Sequence, residues 1–120
     1  MIRSIKFIGI PVANQDRALA FYTDMLGCVV RTDVPHGTQR WIELQCARGE
    51  TGIALFTPPG QEDRVGTFVN ASFEVDDVFR MFADLGPRGV EFVQQPQKTA
   101  WGSSAIIRDS EGNQLVLSSR

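Results

Sequence analysis

The 120-residue sequence carries one histidine, one tyrosine, two cysteines and two tryptophans, and each scarcity removes a class of function. A single imidazole, His36, cannot supply the pair of histidines in a 2-His-1-carboxylate iron centre. Cys28 and Cys46 are too few for a disulfide scaffold. In a chain long enough to bury its own core they read as thiols of a reducing compartment. Basic charge is not in excess: twelve Lys and Arg face fourteen Asp and Glu, for a net charge of -2. No positive field is available for a phosphate backbone, so nucleic acid is not an expected partner. No apolar run approaches the ~20 residues that a membrane-spanning helix needs. Arg3 and Lys6 imitate the charged start of a secretory leader, but residues 7–12 contain Gly9 and Pro11 and form too short an apolar core. The expectation is a cytoplasmic protein that does not associate with membranes.

What is present is a pattern stated twice. Ile10-Pro11-Val12-Ala13-Asn14 and Phe73-Glu74-Val75-Asp76-Asp77 each end a strand and open a helix, about half a chain apart. Ala18, Phe21, Tyr22, Met25 and Leu26 form one helical face, which Asn14 or Asp16 can cap and Gly27 can end. Val78, Met81, Phe82 and Leu85 repeat the stripe in a shorter helix, stopped by Gly86-Pro87-Arg88-Gly89. Three strand-like runs follow each helix, at 28–34, 39–46 and 52–57, then at 90–94, 103–109 and 113–118. Turns fall at His36-Gly37, at 48–50, at 97–102 and at 110–113. The chain therefore reads as two β-α-β-β-β modules of one structural domain, 1–58 and 59–120, with a Pro- and Gly-containing linker at 57–63. The class is α+β. Eight strands to two helices exclude a Rossmann-type sheet.

Alternation sorts each strand into two faces. Toward the helices go Ile8, Ile10, Val12, Cys28, Val30, Ile42, Leu44, Cys46, Ile53, Leu55, Val69, Ala71, Phe73, Val75, Leu115 and Leu117. The other face takes Phe7, Gly9, Arg31, Asp33, Trp41, Glu43, Gln45, Ala54, Phe56, Asn70, Ser72, Glu74, Gln114, Val116 and Ser118. Aromatic rings among convergent polar groups are the lining a small-molecule site requires, if the two halves curl into a cup. A subunit interface is the competing use of such a face.

Two segments suggest a family. Phe21-Tyr22-Thr23-Asp24-Met25-Leu26-Gly27 resembles the FYxxxLG element of the vicinal oxygen chelate superfamily, and Asp109-Ser110-Glu111-Gly112-Asn113 resembles its DPxGN turn, with Ser110 in place of proline. The superfamily includes glyoxalase I, bleomycin-resistance proteins and extradiol dioxygenases, and the resemblance spans nearly the whole chain. It implies a cup-shaped mixed sheet with the helices on its outer face, commonly completed by a partner subunit in a homodimer. Metal-dependent members carry His, Glu or Gln on the first and last strands of each module. The corresponding residues here are Phe7, Ala54, Asn70 and Val116. Three of these offer no lone pair, whereas a catalytic divalent ion needs about three protein ligands.

The resemblance therefore points to the metal-free binding branch: no cofactor, and a small-molecule ligand, aromatic or oxygen-rich, held in the cup. Trp41 and Trp101 are the expected ring contacts, Trp101 at the rim, with Phe7 and Phe56 filling the vacated metal positions. Glu43, Ala54, Asn70, Ser72 and Val116 complete the expected lining. His36, at a hairpin tip, is expected to be a solvated turn residue. An enzyme is the alternative, lyase, isomerase or dioxygenase-like, using Glu74 as a desolvated base or an atypical metal site. A module whose aromatic face is covered by a protein partner is a third possibility. A symmetric hairpin at His36-Gly37 sets Arg31 opposite Glu43, as a cross-strand ion pair, and Cys28 opposite Cys46, as buried unreactive thiols.

Overall fold

The computed structural model describes residues 1–120 and divides into two compact units, Met1–Val65 and Gly66–Arg120. The first contains strand β1 (Phe7–Ile10), helix α1 (Gln15–Asp24), and strands β2 (Val29–His36), β3 (Gln39–Gln45) and β4 (Gly52–Leu55). The second contains β5 (Phe68–Glu74), α2 (Val78–Leu85), β6 (Phe92–Thr99), β7 (Gly102–Arg108) and β8 (Gln114–Ser119). Each unit has its own four-stranded mixed sheet, in the order β1-β4-β3-β2 or β5-β8-β7-β6. In both, the first strand runs parallel to the last and the other pairings are antiparallel. The α+β class and the doubled β-α-β-β-β order are as the sequence predicts.

The capping chemistry fixes both helix starts. Asn14, not Asp16, caps α1, its side chain accepting from the Arg17 amide at 3.0 Å. Asp77 caps α2 by accepting from the Phe79 and Arg80 amides at 2.9 and 3.2 Å. Gly27, at φ +72°, turns the chain out of α1 in the left-handed conformation that glycine adopts most readily. In the first unit, α1 supplies the fully buried Ala18 and Tyr22, and the sheet supplies Ile10, Ile42, Leu44 and Leu55. In the second, Val78 and Leu85 of α2 accompany Ala105, Ile107, Leu115 and Leu117 in the core. Burying each such large aliphatic side chain contributes about 1.5–3 kcal/mol.

Three strands depart from expectation. β1 stops at Ile10, because Pro11 has no amide to continue the ladder. β6 runs on through Gln97, Lys98 and Thr99, which read as turn; it is an edge strand, so Pro96 within it leaves no ladder bond unmade. β2 carries a bulge. Val30 pairs with Leu44 but Thr32 pairs with Glu43, leaving Arg31 as the extra residue. The bulge inverts the alternation after it. Asp33, expected on the open face, instead pairs with Ile42 on the helix side, where Arg40 donates Nε and Nη2 to it at 3.0 and 3.2 Å. The same guanidinium donates Nη1 to Asp16 of α1 at 2.6 Å. Val30, expected in the core, is 43% exposed on this edge strand.

The Asp109 to Asn113 turn is an anchor for the second unit. The Asp109 carboxylate accepts from the Glu111 and Asn113 amides, and Asn113 Oδ1 accepts from the Gly66 amide at 2.7 Å. Gly112, at φ +86°, supplies the tight reversal between them.

Candidate functional site

On the open face of the first sheet, four rings form one connected cluster centred on Trp41. Phe7 of β1 meets Trp41 of β3 edge-on with centroids 5.2 Å apart, and Trp41 meets Phe56, just past β4, at 5.3 Å and 53°. His36 joins them, its ring 5.4 Å from Phe56 and 6.4 Å from Trp41. His36 is exposed beside the hairpin turn, as expected, but its ring lies against the aromatic face and not away from it. The two-residue turn Gly37-Thr38 pairs His36 with Gln39, which places the imidazole on the same face as Trp41.

The rings sit on braced backbone. Gln15, at the start of α1, donates Nε2 to the carbonyls of Arg40 and Leu55 at 2.6 and 2.9 Å and accepts from the Arg40 amide at 2.9 Å. One glutamine thus ties β3 to β4 immediately before Trp41 and Phe56. Immediately after Phe56, Thr57 donates its amide to Gln39 Oε1 at 3.1 Å and accepts from Gln39 Nε2 at 2.6 Å. The Thr57 hydroxyl also accepts from the Val12 amide and donates to the Val12 carbonyl, at 2.9 and 2.8 Å.

Beside the rings lies a polar pair. Glu43 is 7% exposed and accepts from Arg31 Nη1 at 3.4 Å, so the expected ion pair forms although the bulge makes Thr32 the register partner of Glu43. Ala54 pairs with both Gly9 and Glu43 and is buried. A methyl group on Gly52 would lie 3.0 Å from the Leu44 carbonyl and 3.3 Å from Glu43 Oε2, so glycine gives the carboxylate its room.

In the second unit, an open concavity of about 400 Å³ is lined by Ser72, Glu74, Val75, Asp76, Trp101, Ser118, Ser119 and Arg120. The Ser72 and Ser118 hydroxyls hydrogen-bond at 2.6 Å across the β5/β8 pairing. Ser72, Glu74 and Trp101 are therefore brought together, Trp101 with an indole that is 89% exposed. Asn70 lies in the irregular stretch of β5 between the Phe68 and Ser72 pairings and is exposed; Val116 pairs with Ser72 and is half-buried. Asp76, Ser118 and Arg120 were not singled out from the sequence, although Ser118 follows Val116 on the same face. Burial, reinforced by the neighbouring Cys46 thiol, pushes the Cys28 thiol up to about 12.

The side chains do not fit a metal ion. Phe7, Ala54 and Val116 have no donor atom, and nowhere do three His, Cys, Asp or Glu side chains group to hold one.

Residues 4–117 match the model of the Glyoxalase/Bleomycin resistance protein/Dioxygenase superfamily. The chain belongs to this superfamily. The uncharacterized protein YetH of Bacillus subtilis (strain 168) is 26% identical over 118 residues, covering 98% of each chain. Among solved structures, UcmS2 is 30% identical with a TM-score of 0.86 and full coverage of both chains. TnmS3, described as an antibiotic binding protein from Streptomyces sp. CB03234, is 27% identical with a TM-score of 0.87, covering 98% of this chain and 96% of that one. The superfamily's fold is thus shared across the whole length, while its function varies with the residues placed on it.

Proposed function

We propose that this protein is a metal-independent small-molecule-binding protein that holds an aromatic or oxygen-rich compound against the ring cluster of the first sheet. The observation that carries this reading is the contact set of Phe7, His36, Trp41 and Phe56 on one sheet face, braced by Gln15 and Gln39. Such a surface offers a planar ligand several edge-on and stacked contacts, each worth about 0.5–1.5 kcal/mol beyond buried area. Residues without donor atoms at the superfamily's ligand positions support metal independence. The description of TnmS3 as an antibiotic binding protein supports small-molecule capture as the type of task. The reading includes a homodimer, tested by light scattering as twice the chain mass, and a cytoplasmic location, tested by fractionation. No helix is long and apolar enough to cross a membrane.

Native mass spectrometry of protein purified from its own host tests the whole reading. A retained organic compound, lost in Trp41→Ala, is expected with and without chelator. A stoichiometric Ni, Zn, Mn or Fe ion retained at the sheet face overturns it.

A second reading, an enzyme with Glu74 as base, draws on the concavity in which Glu74, Ser72 and Asp76 share a polar lining with Trp101. Glu74→Gln then abolishes turnover and spares binding. Binding lost in Trp41→Ala, with no activity to lose in Glu74→Gln, favours the first reading.

A further inference from the structure

We propose that Arg31 is the specificity-determining anchor of the first sheet's ring face, where its guanidinium takes the oxyanion of an aromatic acid, a carboxylate or a phenolate, whose ring lies against Trp41. The inference rests on the ring face being the binding surface and adds the chemical class of its occupant.

Three observations carry it. First, the bulge at Arg31 costs a ladder pairing and turns Asp33 off the open face, as bulges beside binding sites commonly re-aim a side chain. Unbroken alternation would keep Arg31 opposite Glu43 but would also leave Asp33 on the open face; the bulge keeps Arg31 beside Glu43 and sends Asp33 to the helix side, so no second carboxylate of β2 competes for the guanidinium there. Second, Arg31 is under-used. Of its five N–H donors only Nη1 is engaged, at 3.4 Å from Glu43, and its side chain is 41% exposed while that of Glu43 is 9% exposed. Arg40 shows what a fully used guanidinium looks like in this chain: three of its nitrogens serve two carboxylates, Asp33 and Asp16, at 2.6 to 3.2 Å. Arg31 has one carboxylate and the capacity for a second. Third, the spacing fits an aryl acid. Glu43, which fixes the guanidinium, and Trp41 lie two residues apart on the same face of β3, about 7 Å along the strand. A fused bicyclic ring bearing an acidic group on one edge spans that distance.

Glu43 tunes this anchor. It holds the guanidinium in place and competes with the ligand for it, so the free site is charge-neutral and an incoming anion displaces or shares one long contact. Removal of either partner therefore has opposite consequences for an acidic ligand, which a purely structural ion pair would not show.

The test uses the full chain, stripped with chelator, titrated with three probes: 2-naphthoate, neutral 2-naphthalenemethanol and cationic 2-naphthalenemethylammonium. The wild-type protein is expected to bind the acid tightest and the cation weakest. Arg31→Gln is expected to weaken 2-naphthoate by about tenfold or more, leaving the neutral probe within about twofold, as the loss of a charge-assisted contact predicts. Arg31→Lys retains part of the preference, because a point charge replaces a planar fork. Isosteric Glu43→Gln is expected to strengthen 2-naphthoate by about threefold to tenfold, since the competing charge is gone. Equal weakening of acid and neutral probes in Arg31→Gln, or weaker acid binding in Glu43→Gln, overturns the proposal. The rank order of the three probes on wild-type protein needs no variant, and a cation bound as tightly as the acid also overturns it. Absence of binding by all three probes is a different failure: it removes the ring face as a binding surface altogether.

Discussion

Asp109 and Asn113 are joined twice: Asp109 Oδ1 accepts from the Asn113 amide at 2.9 Å, and its Oδ2 accepts from Asn113 Nδ2 at 3.0 Å. Asn113 is wholly buried and its remaining oxygen holds the Gly66 amide. The segment that most strongly suggests the superfamily therefore acts as a structural clasp, tying the β7–β8 turn to Gly66. Asn113→Ala removes the Nδ2 donor to Asp109 and the acceptor of the Gly66 amide together, and is expected to lower stability by about 1–3 kcal/mol. Urea unfolding measures this, and ligand affinity of the folded fraction should not change.

The Cys28 thiol, pushed up to about 12 mainly by burial, stays protonated through the physiological range. Alkylation by iodoacetamide at pH 8 is expected to spare Cys28 in the native protein and to reach it after unfolding, as peptide mapping would show. The sign of its pH effect follows from the raised value. Its contribution to stability is complete below about pH 9 and is lost as pH rises toward 12, because the unfolded chain sheds that proton first. Wild-type stability should therefore fall more steeply than that of Cys28→Ala above pH 9, by up to about 1 kcal/mol per pH unit.

Arg40 holds the Asp33 carboxyl below its ordinary value, chiefly through their hydrogen bonds. A depressed carboxylate stabilises the fold above the ordinary carboxylate range and loses that contribution as pH falls through its folded value. Asp33→Asn is expected to cost less than about 1 kcal/mol at pH 7, since the pair is partly exposed. The gap between the two proteins should close in acid unfolding as pH falls below the ordinary carboxylate range.

Much of this architecture is legible in the chain itself. Helical spacing at Ala18, Phe21 and Tyr22, Asn14 and Asp77 as caps, and the doubled strand order all follow from local chemistry. So does the shared face of Phe7, Trp41 and Phe56, because β3 and β4 keep strict alternation. The failures cluster at β2. A one-residue bulge has no sequence signature here, since Arg31 and Thr32 differ little in strand preference, yet it moves Asp33 to the other face. His36 is exposed beside the turn as its position suggests, but its contact with the rings depends on the turn length, which the pairing of His36 with Gln39 sets at two residues. The strand run over Gln97 to Thr99 was hidden by polar composition, which an edge strand tolerates.

The central claim is that a ligand lies on the ring face without a metal. The chain has only two indoles, Trp41 and Trp101, so a proton–nitrogen correlation spectrum shows two indole cross-peaks, assigned with Trp101→Phe. Chelator-treated protein titrated with 2-naphthalenemethanol should show the Trp41 cross-peak moving, with Trp101 still and no change on adding Zn or Ni. A shift confined to Trp101, or one that appears only once the metal is present, would contradict the account.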